Sequence, residues 1–233
     1  MQKRTLVYIK YMNKVYVGYD SKQPDAYYAC IKSLQSNTKS PLEYYALIQS
    51  QLRESGDYTR PVDPLSSTEF SFTRFLIPHL CNYKGWVLFC DSDFIFLEDV
   101  NELFGLVDER YAVMVCKHNY NPINTIKMSG QTQHLYPRKN WSSFILWNCG
   151  HCSNARLTAN VVNSESGSYL HQFQWLTDSE IGSIPLQWNW LVDWYKEPED
   201  GKPKALHYTE GGPWLDNYKN CSYANEWLKY SRN

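Results

Sequence analysis

The sequence predicts an α/β fold in which a mainly parallel sheet is flanked by helices. Three observations carry this. Continuous apolar runs at 86–90, 111–116 and 142–148 have the length and the Val, Phe and Trp content of strands buried on both faces. Segments with helical spacing alternate with such runs, as in a chain that crosses over between parallel strands. The 233 residues suit one domain, 1–233, since no repeat, low-complexity tract or linker divides them.

In chain order, Val15 to Asp20 reads as a short strand ending in Gly18, Tyr19 and Asp20. A helix follows from Asp25 to about Ser36, with Tyr28, Ile31 and Leu34 at helical spacing. Pro41 to Ile48 reads as a second strand, and 50–67, polar with Gly56, Pro61 and Pro64, as a loop. Residues 68–78 predict a helix capped by Ser67 or Thr68 and interrupted or ended near Pro78. After the strand 86–90 come a short helix from Val100 to Val107, a strand from Tyr111 to Cys116 and a long polar loop over 117–140. The strand Ser142 to Asn148 is followed by a helical stretch near 154–163 and an acidic step, Thr177 to Glu180. Gln187 to Trp190 comes next, then a short strand from Ala205 that enters a glycine turn, and a closing helix at 223–230.

A net charge of −1 leaves no basic field for nucleic acid and no polybasic membrane anchor. No apolar stretch approaches the roughly 20 residues of a transmembrane segment. The first residues lack the apolar core of a signal peptide, and the seven cysteines are odd in number and lie partly in strand-like runs. Reduced thiols in a cytoplasmic protein are the expectation. Aromatic residues make up 16 % of the chain, which suits a flat, polar ligand such as a sugar or a base.

The chemistry centres on Asp91-Ser92-Asp93, wedged between the apolar runs 86–90 and 94–97. Two ionised carboxylates entering a core are costly unless a positive partner meets them. In an open α/β sheet the meeting place is the crevice outside the carboxyl ends of the strands. A hard divalent cation such as Mg²⁺ or Mn²⁺, bound also to phosphate oxygens, is the economical partner. A calcium loop starting at Asp91 fails, because Ile95 and Phe96 occupy positions that need a ligand and a glycine.

Joined to its neighbours, this motif becomes more specific. Val17-Gly-Tyr-Asp20, the run Ser66 to Pro78 with Arg74, Asp91-Ser-Asp93, Asp178-Ser-Glu180 and His207-Tyr-Thr-Glu-Gly-Gly-Pro-Trp214 follow in order. Together they resemble a nucleotide-sugar glycosyltransferase of GT-A fold, and are most similar to glycosyltransferase family 8. The resemblance spans about 15–214. It implies a UDP-sugar donor, a glycan or glycolipid acceptor, and Mn²⁺ (or Mg²⁺) held by Asp91, Asp93 and His207. It further implies that Gly18, Tyr19 and Asp20 seat the base and ribose, and that Arg74 pairs with a carboxylate of the metal motif or with the donor. Ser92, Gly211, Gly212 and Trp214 fall within the same motifs and go with the donor. Backbone N–H groups of the two glycines can approach phosphates closely, since no Cβ stands in the way. Asp178 and Glu180 match an acidic step that faces the donor sugar and acceptor, to steady an oxocarbenium-like cation or act as general base. The chain departs from the family in having Gly212 where a lysine is usual, Trp141 where an asparagine is usual, and Asp-Ser-Glu in the acidic step.

Three other readings stand beside this one. Cys149-Gly-His-Cys152 has the spacing of a thiol–disulfide exchange motif. A metal-dependent nucleotidyltransferase shares the carboxylate chemistry, although the segment after the first strand lacks a Gly-rich basic loop. A carbohydrate-binding module accounts for the aromatics but not for two carboxylates with a histidine.

Overall fold

The computed structural model describes residues 12–63, 66–118, 138–196 and 201–231. The first half contains β1 (Asn13–Gly18), α1 (Pro24–Asn37), β2 (Leu42–Leu47), α2 (Gln49–Glu54), α3 (Ile77–Leu80), β3 (Trp86–Cys90) and β4 (Phe94–Phe96). The second half contains β5 (Val113–Val115), β6 (Phe144–Asn148), α4 (Ala159–Ser164), α5 (Gly167–His171), β7 (Ile181–Ser183), β8 (Trp190–Leu191), β9 (Ala205–His207) and α6 (Ala224–Leu228).

A six-stranded sheet runs β2-β1-β3-β6-β5-β7, and a smaller sheet runs β4-β9-β8. In the large sheet only β6 is reversed; its pairings with β3 and β5 are antiparallel and the rest are parallel. The α/β, mainly parallel expectation therefore holds. The carboxyl ends of β1, β3, β5 and β7 gather on one edge, with the amino end of β6 among them.

Alternation along the strands shows why the sheet is buried on both faces. Val87, Phe89, Val113, Val115, Ile145 and Trp147 enter one core. Leu88, Cys90, Met114, Phe144 and Leu146 enter the other, with Val15 and Val17. The first core is covered by Phe70, Phe75 and the 3-10 turn Thr73–Leu76 that runs into α3, and by Leu170 of α5. The second is covered by α1, whose Cys30 and Leu34 pack inward, and by β4. Ser33 of α1 fixes that packing by accepting the Phe96 N–H at 3.0 Å.

Local expectations fail where the pattern was thin. The loop expected over 50–67 begins as α2, a helix with one buried residue, Leu52, and so no apolar period to read. The helix expected over 68–78 is a 3-10 turn followed by α3. The interruption expected near Pro78 is the change from the 3-10 turn to α3, and Pro78 lies in the first turn of α3, where a missing N–H costs no intrahelical bond. The stretch near 154–163 is split into a 3-10 turn, Cys152–Arg156, and α4, whose cap Thr158 accepts the Val161 N–H. Most of the long loop expected over 117–140 lies outside the described residues.

Among the described residues, no helix is long and apolar enough to cross a membrane.

Gly18 ends β1 directly beneath the ring of Phe70, where an added Cβ would lie 2.4 Å from Cγ. Overpacking of this kind costs about 1–3 kcal/mol. Gly18→Ala is expected to lower the unfolding free energy by that amount and so to lower the urea midpoint, and Gly18→Ala with Phe70→Leu to recover part of it. An unchanged midpoint in the single variant contradicts this packing.

Candidate active site

Two backbone registers build the site. Asp91 leaves β3 at the sheet's carboxyl edge, its N–H donating to Ser143 O at 2.9 Å. Asp93 leads into β4, where Phe94 stands opposite His207 of β9. The Tyr208 N–H then closes on Asp93 O at 3.0 Å. The imidazole of His207 stacks on Phe94, with ring centroids 4.3 Å apart. His207 is 2 % exposed, and its Nε2 lies 3.4 Å from Asp93 Oδ1.

One ligand atom from each of Asp91, Asp93 and His207 lies within 4.8 Å of the others. Donors that share a hard cation at about 2.0–2.6 Å lie at most about 5 Å apart, so the three fit a single ion. Two carboxylates with one imidazole favour Mn²⁺ over Mg²⁺. Ser92, between the carboxylates, is buried.

Arg74 is 5 % exposed and has little freedom. Its Nη1 forms an ion pair with Asp91, 2.7 Å from Oδ1, and donates a hydrogen bond to Ser142 O at 2.8 Å, while its Nε donates to Phe70 O at 3.2 Å. The guanidinium also lies over the Phe70 and Phe89 rings at 5.3 and 5.1 Å. Arg74 thus pairs with the carboxylate, one of the two roles expected for it, and holds Asp91 in place. Ser142 Oγ in turn meets His171 Nδ1 at 2.8 Å, and the His171 ring packs edge-on against Phe75.

The residues after β1 share this edge. Tyr19 N–H donates to Leu47 O at 3.2 Å, and Asp20 is 2 % exposed with an oxygen accepting the Lys22 N–H at 2.9 Å. Burial raises the Asp20 pKa, opposed by that hydrogen bond. Beside it, Glu69 accepts from the Ser21 N–H and hydroxyl. A cavity of about 280 Å³ opens here, lined by Lys22, Gln49, Arg53, Tyr58, Thr68 and Glu69 among others.

Other expected residues also serve the fold. The Gly211 N–H donates to Tyr208 O at 2.9 Å, so it closes a turn rather than facing a phosphate. Its φ of +141° is what demands glycine. A Cβ on Gly212 would lie 1.9 Å from the Trp214 ring. Trp214 packs on Tyr208 and Trp227, and its Nε1 donates to Gln23 Oε1 at 2.8 Å, tying the C-terminal segment to the loop after β1.

Asp178 and Glu180 are not brought to the metal cluster. The Glu180 carbonyl accepts the Ala112 N–H and Ile181 pairs with Val113, which places the step at the amino end of β5 and β7. The cluster lies beyond the opposite end of β5, about 10 Å of strand away. Glu180 caps the turn Asp178–Glu180, accepting from Thr177 N and Oγ1 at 2.8 Å and from the Ser153 hydroxyl. The Ser153 bond, then the Thr177 N–H, holds its pKa at about 2. Glu180 is thus held as an anion by the cap of this turn. Asp178 is exposed and pairs with Arg138.

The thiol reading also changes. Cys149 is fully buried at the end of β6, and its thiol donates to Cys81 rather than partnering Cys152. That contact pushes the Cys149 thiol far up and brings Cys81 down to about 7. All seven cysteines are free.

Sequence reasoning overlooked Ser142, Ser143, His171 and Asn189, single polar residues brought in by long-range packing. It also passed over His118, just beyond β5. His118 is 6 % exposed, with Nδ1 bonded to the Tyr195 hydroxyl at 2.7 Å. Burial, and secondarily His207, lowers its pKa to about 3.

This fold is that of the GT-A glycosyltransferases. The structure superposes on the bifunctional glycosyltransferase WbbM with a TM-score of 0.65 at 14 % identity, over 96 % of this chain and 50 % of that one. GlyE of Streptococcus pneumoniae TIGR4 gives 0.64 at 18 % identity, over 95 % and 60 %. An active-site mutant of LgtC gives 0.60 at 12 % identity, over 93 % and 94 %. The chain thus spans about half of WbbM and three-fifths of GlyE. No protein-family model matches the sequence. Protein CDI of Arabidopsis thaliana is 49 % identical over 218 residues, covering 92 % of this chain and 84 % of that protein. The chain belongs to the Protein CDI family.

Removing one partner of a buried ion pair typically costs about 3–5 kcal/mol. Arg74→Met is therefore expected to lose roughly that much stability in denaturant melts, and Arg74→Lys less. A loss near zero for Arg74→Met contradicts the role assigned to the Arg74–Asp91 pair.

Proposed function

We propose that the protein is a glycosyltransferase that moves a sugar from a nucleotide-sugar, with UDP-sugars the first candidates, to a glycan or glycolipid. Asp91, Asp93 and His207 hold one divalent cation, Mn²⁺ before Mg²⁺. The observation that carries this reading is the pairing of β4 with β9, which sets His207 against Asp93 within reach of Asp91. The GT-A fold supports it, as does the galactosyltransferase LgtC, captured with donor and acceptor sugar analogs.

When bound, the cation supplies a Lewis acid beside a departing diphosphate. Asp91 and Asp93 bring the negative charge that attracts it, and Arg74 keeps Asp91 aimed. The cavity beside Asp20 and Glu69, at the carboxyl ends of β1 and β2, suits the nucleoside. Free thiols throughout support a reducing compartment such as the cytoplasm.

A metal-dependent nucleotidyltransferase would use the same carboxylates but would release pyrophosphate, where a glycosyltransferase releases a nucleoside phosphate. A carbohydrate-binding module is disfavoured by the buried α/β sheet, and a thiol exchanger by the buried Cys149.

Calorimetric titration of UDP, GDP and CMP, with their sugar conjugates, tests the proposal in Mn²⁺ and in chelator. One nucleotide class is expected to bind, with affinity falling at least about tenfold, or 1.4 kcal/mol, under chelation. Asp93→Ala and His207→Ala are expected to reproduce that loss in the presence of Mn²⁺. Nucleotide binding indifferent to metal and to both substitutions contradicts the proposed centre, and no nucleotide binding at all contradicts the transferase reading.

A further inference from the structure

Asn189 is completely buried at the end of the 3-10 turn Leu186–Asn189, just ahead of β8. It belongs to a chain of hydrogen bonds whose directions are fixed from one end. The Asn140 carbonyl can only accept, so the Ser143 hydroxyl, 2.7 Å away, donates to it. A hydroxyl has one proton, so Ser143 Oγ must accept from its other neighbour, the Asn189 Nδ2 at 3.0 Å. That sets the amide with Oδ1 turned the other way, 2.8 Å from His207 Nδ1. An amide oxygen cannot donate, so the proton of this bond lies on Nδ1. In the neutral ring Nε2 then carries only a lone pair, and it is Nε2 that faces Asp93.

We propose that Asn189, oriented by Ser143 and the Asn140 carbonyl, is the positioning residue that fixes His207 in its Nδ1–H tautomer and so presents the Nε2 lone pair to a divalent cation. The metal half of this statement rests on the function proposed above; the tautomer half does not. Partners of this kind on a ligating histidine orient the ring and raise its basicity, and losing one typically costs 10–100-fold in metal affinity. The relay also joins strand β9 to the turn at Asn140, which has a left-handed φ of 63°. A metal ligand and the turn preceding β6 are thereby held in one register.

Two measurements separate the halves. Long-range ¹H–¹⁵N correlation spectra of the metal-free wild-type protein, in mildly alkaline buffer, read the His207 tautomer directly. Nδ1–H is expected, and a ring protonated at Nε2 overturns the proposal without recourse to any variant. Mn²⁺ titration followed by electron paramagnetic resonance then compares wild type with Asn189→Leu and Asn189→Asp. The leucine variant is expected to bind Mn²⁺ about 10–100-fold more weakly, with the histidine nitrogen coupling lost or altered. The aspartate variant, whose carboxylate also accepts from Nδ1–H, is expected to restore the coupling and most of the affinity. A folded leucine variant with wild-type affinity and coupling overturns the positioning role. If the leucine variant does not fold, Ser143→Ala takes its place; it frees the amide to flip, and unchanged Mn²⁺ affinity and coupling there also overturn it. Wild type that shows the Nδ1–H tautomer but binds no Mn²⁺ overturns the metal half, and with it the function proposed above, while leaving the tautomer assignment standing.

Discussion

The pairing of Phe94 with His207 across β4 and β9 is the contact on which the arrangement of the site depends. The two strands are only three residues long each, yet they join residues more than a hundred positions apart. Side chains alternate between faces of a strand, so a slip of one residue would carry His207 away from Asp93. Several contacts resist that slip. Phe94 stacks on the imidazole, Tyr208 N–H closes on the Asp93 carbonyl, and Val192 N–H reaches the His207 carbonyl at 3.0 Å. The β4 strand is itself held from behind by α1. The geometry of the Asp91, Asp93 and His207 cluster is thus a consequence of strand register, with side-chain hydrogen bonds adding the finer orientation.

The large sheet supplies the other half of the site. Reversing β6 puts its amino end beside the carboxyl end of β3, so that Ser142 and Ser143 meet Asp91 and Arg74. An all-parallel sheet would put the carboxyl end of that strand there instead. Arg74 could pair with Asp91 in a dry setting only because its remaining donors find carbonyls and its faces find Phe70 and Phe89. The abundant aromatics thus serve the core first: Trp147 and Trp188 are almost entirely buried, and Trp214 ties the C-terminal segment to the loop after β1.

The sequence revealed what continuous pattern can reveal. Strands buried on both faces show as unbroken apolar runs, and two carboxylates between such runs are conspicuous because they conflict with their surroundings. His207, at a strand end ahead of two glycines, carried enough local context to join them. Asp178-Ser-Glu180 misled for an equally physical reason: an acidic first turn satisfies a helix cap as readily as it serves catalysis, and composition does not distinguish the two. The glycines at 211 and 212 also answer to demands of the fold, a positive φ and the Trp214 ring, that no motif spells out. Asn189, Ser143 and His171 were illegible because each is one polar residue whose meaning comes entirely from distant partners.

The central claim is that these registers assemble a cation site that serves a nucleotide. Crystals grown with Mn²⁺ and the nucleoside diphosphate selected by calorimetry test it most directly, through anomalous scattering at the manganese edge. The account predicts one strong peak bound by Asp91, Asp93 and His207 Nε2, with diphosphate oxygens completing its shell. A nucleotide seated elsewhere, or a manganese peak that does not touch His207, would contradict it.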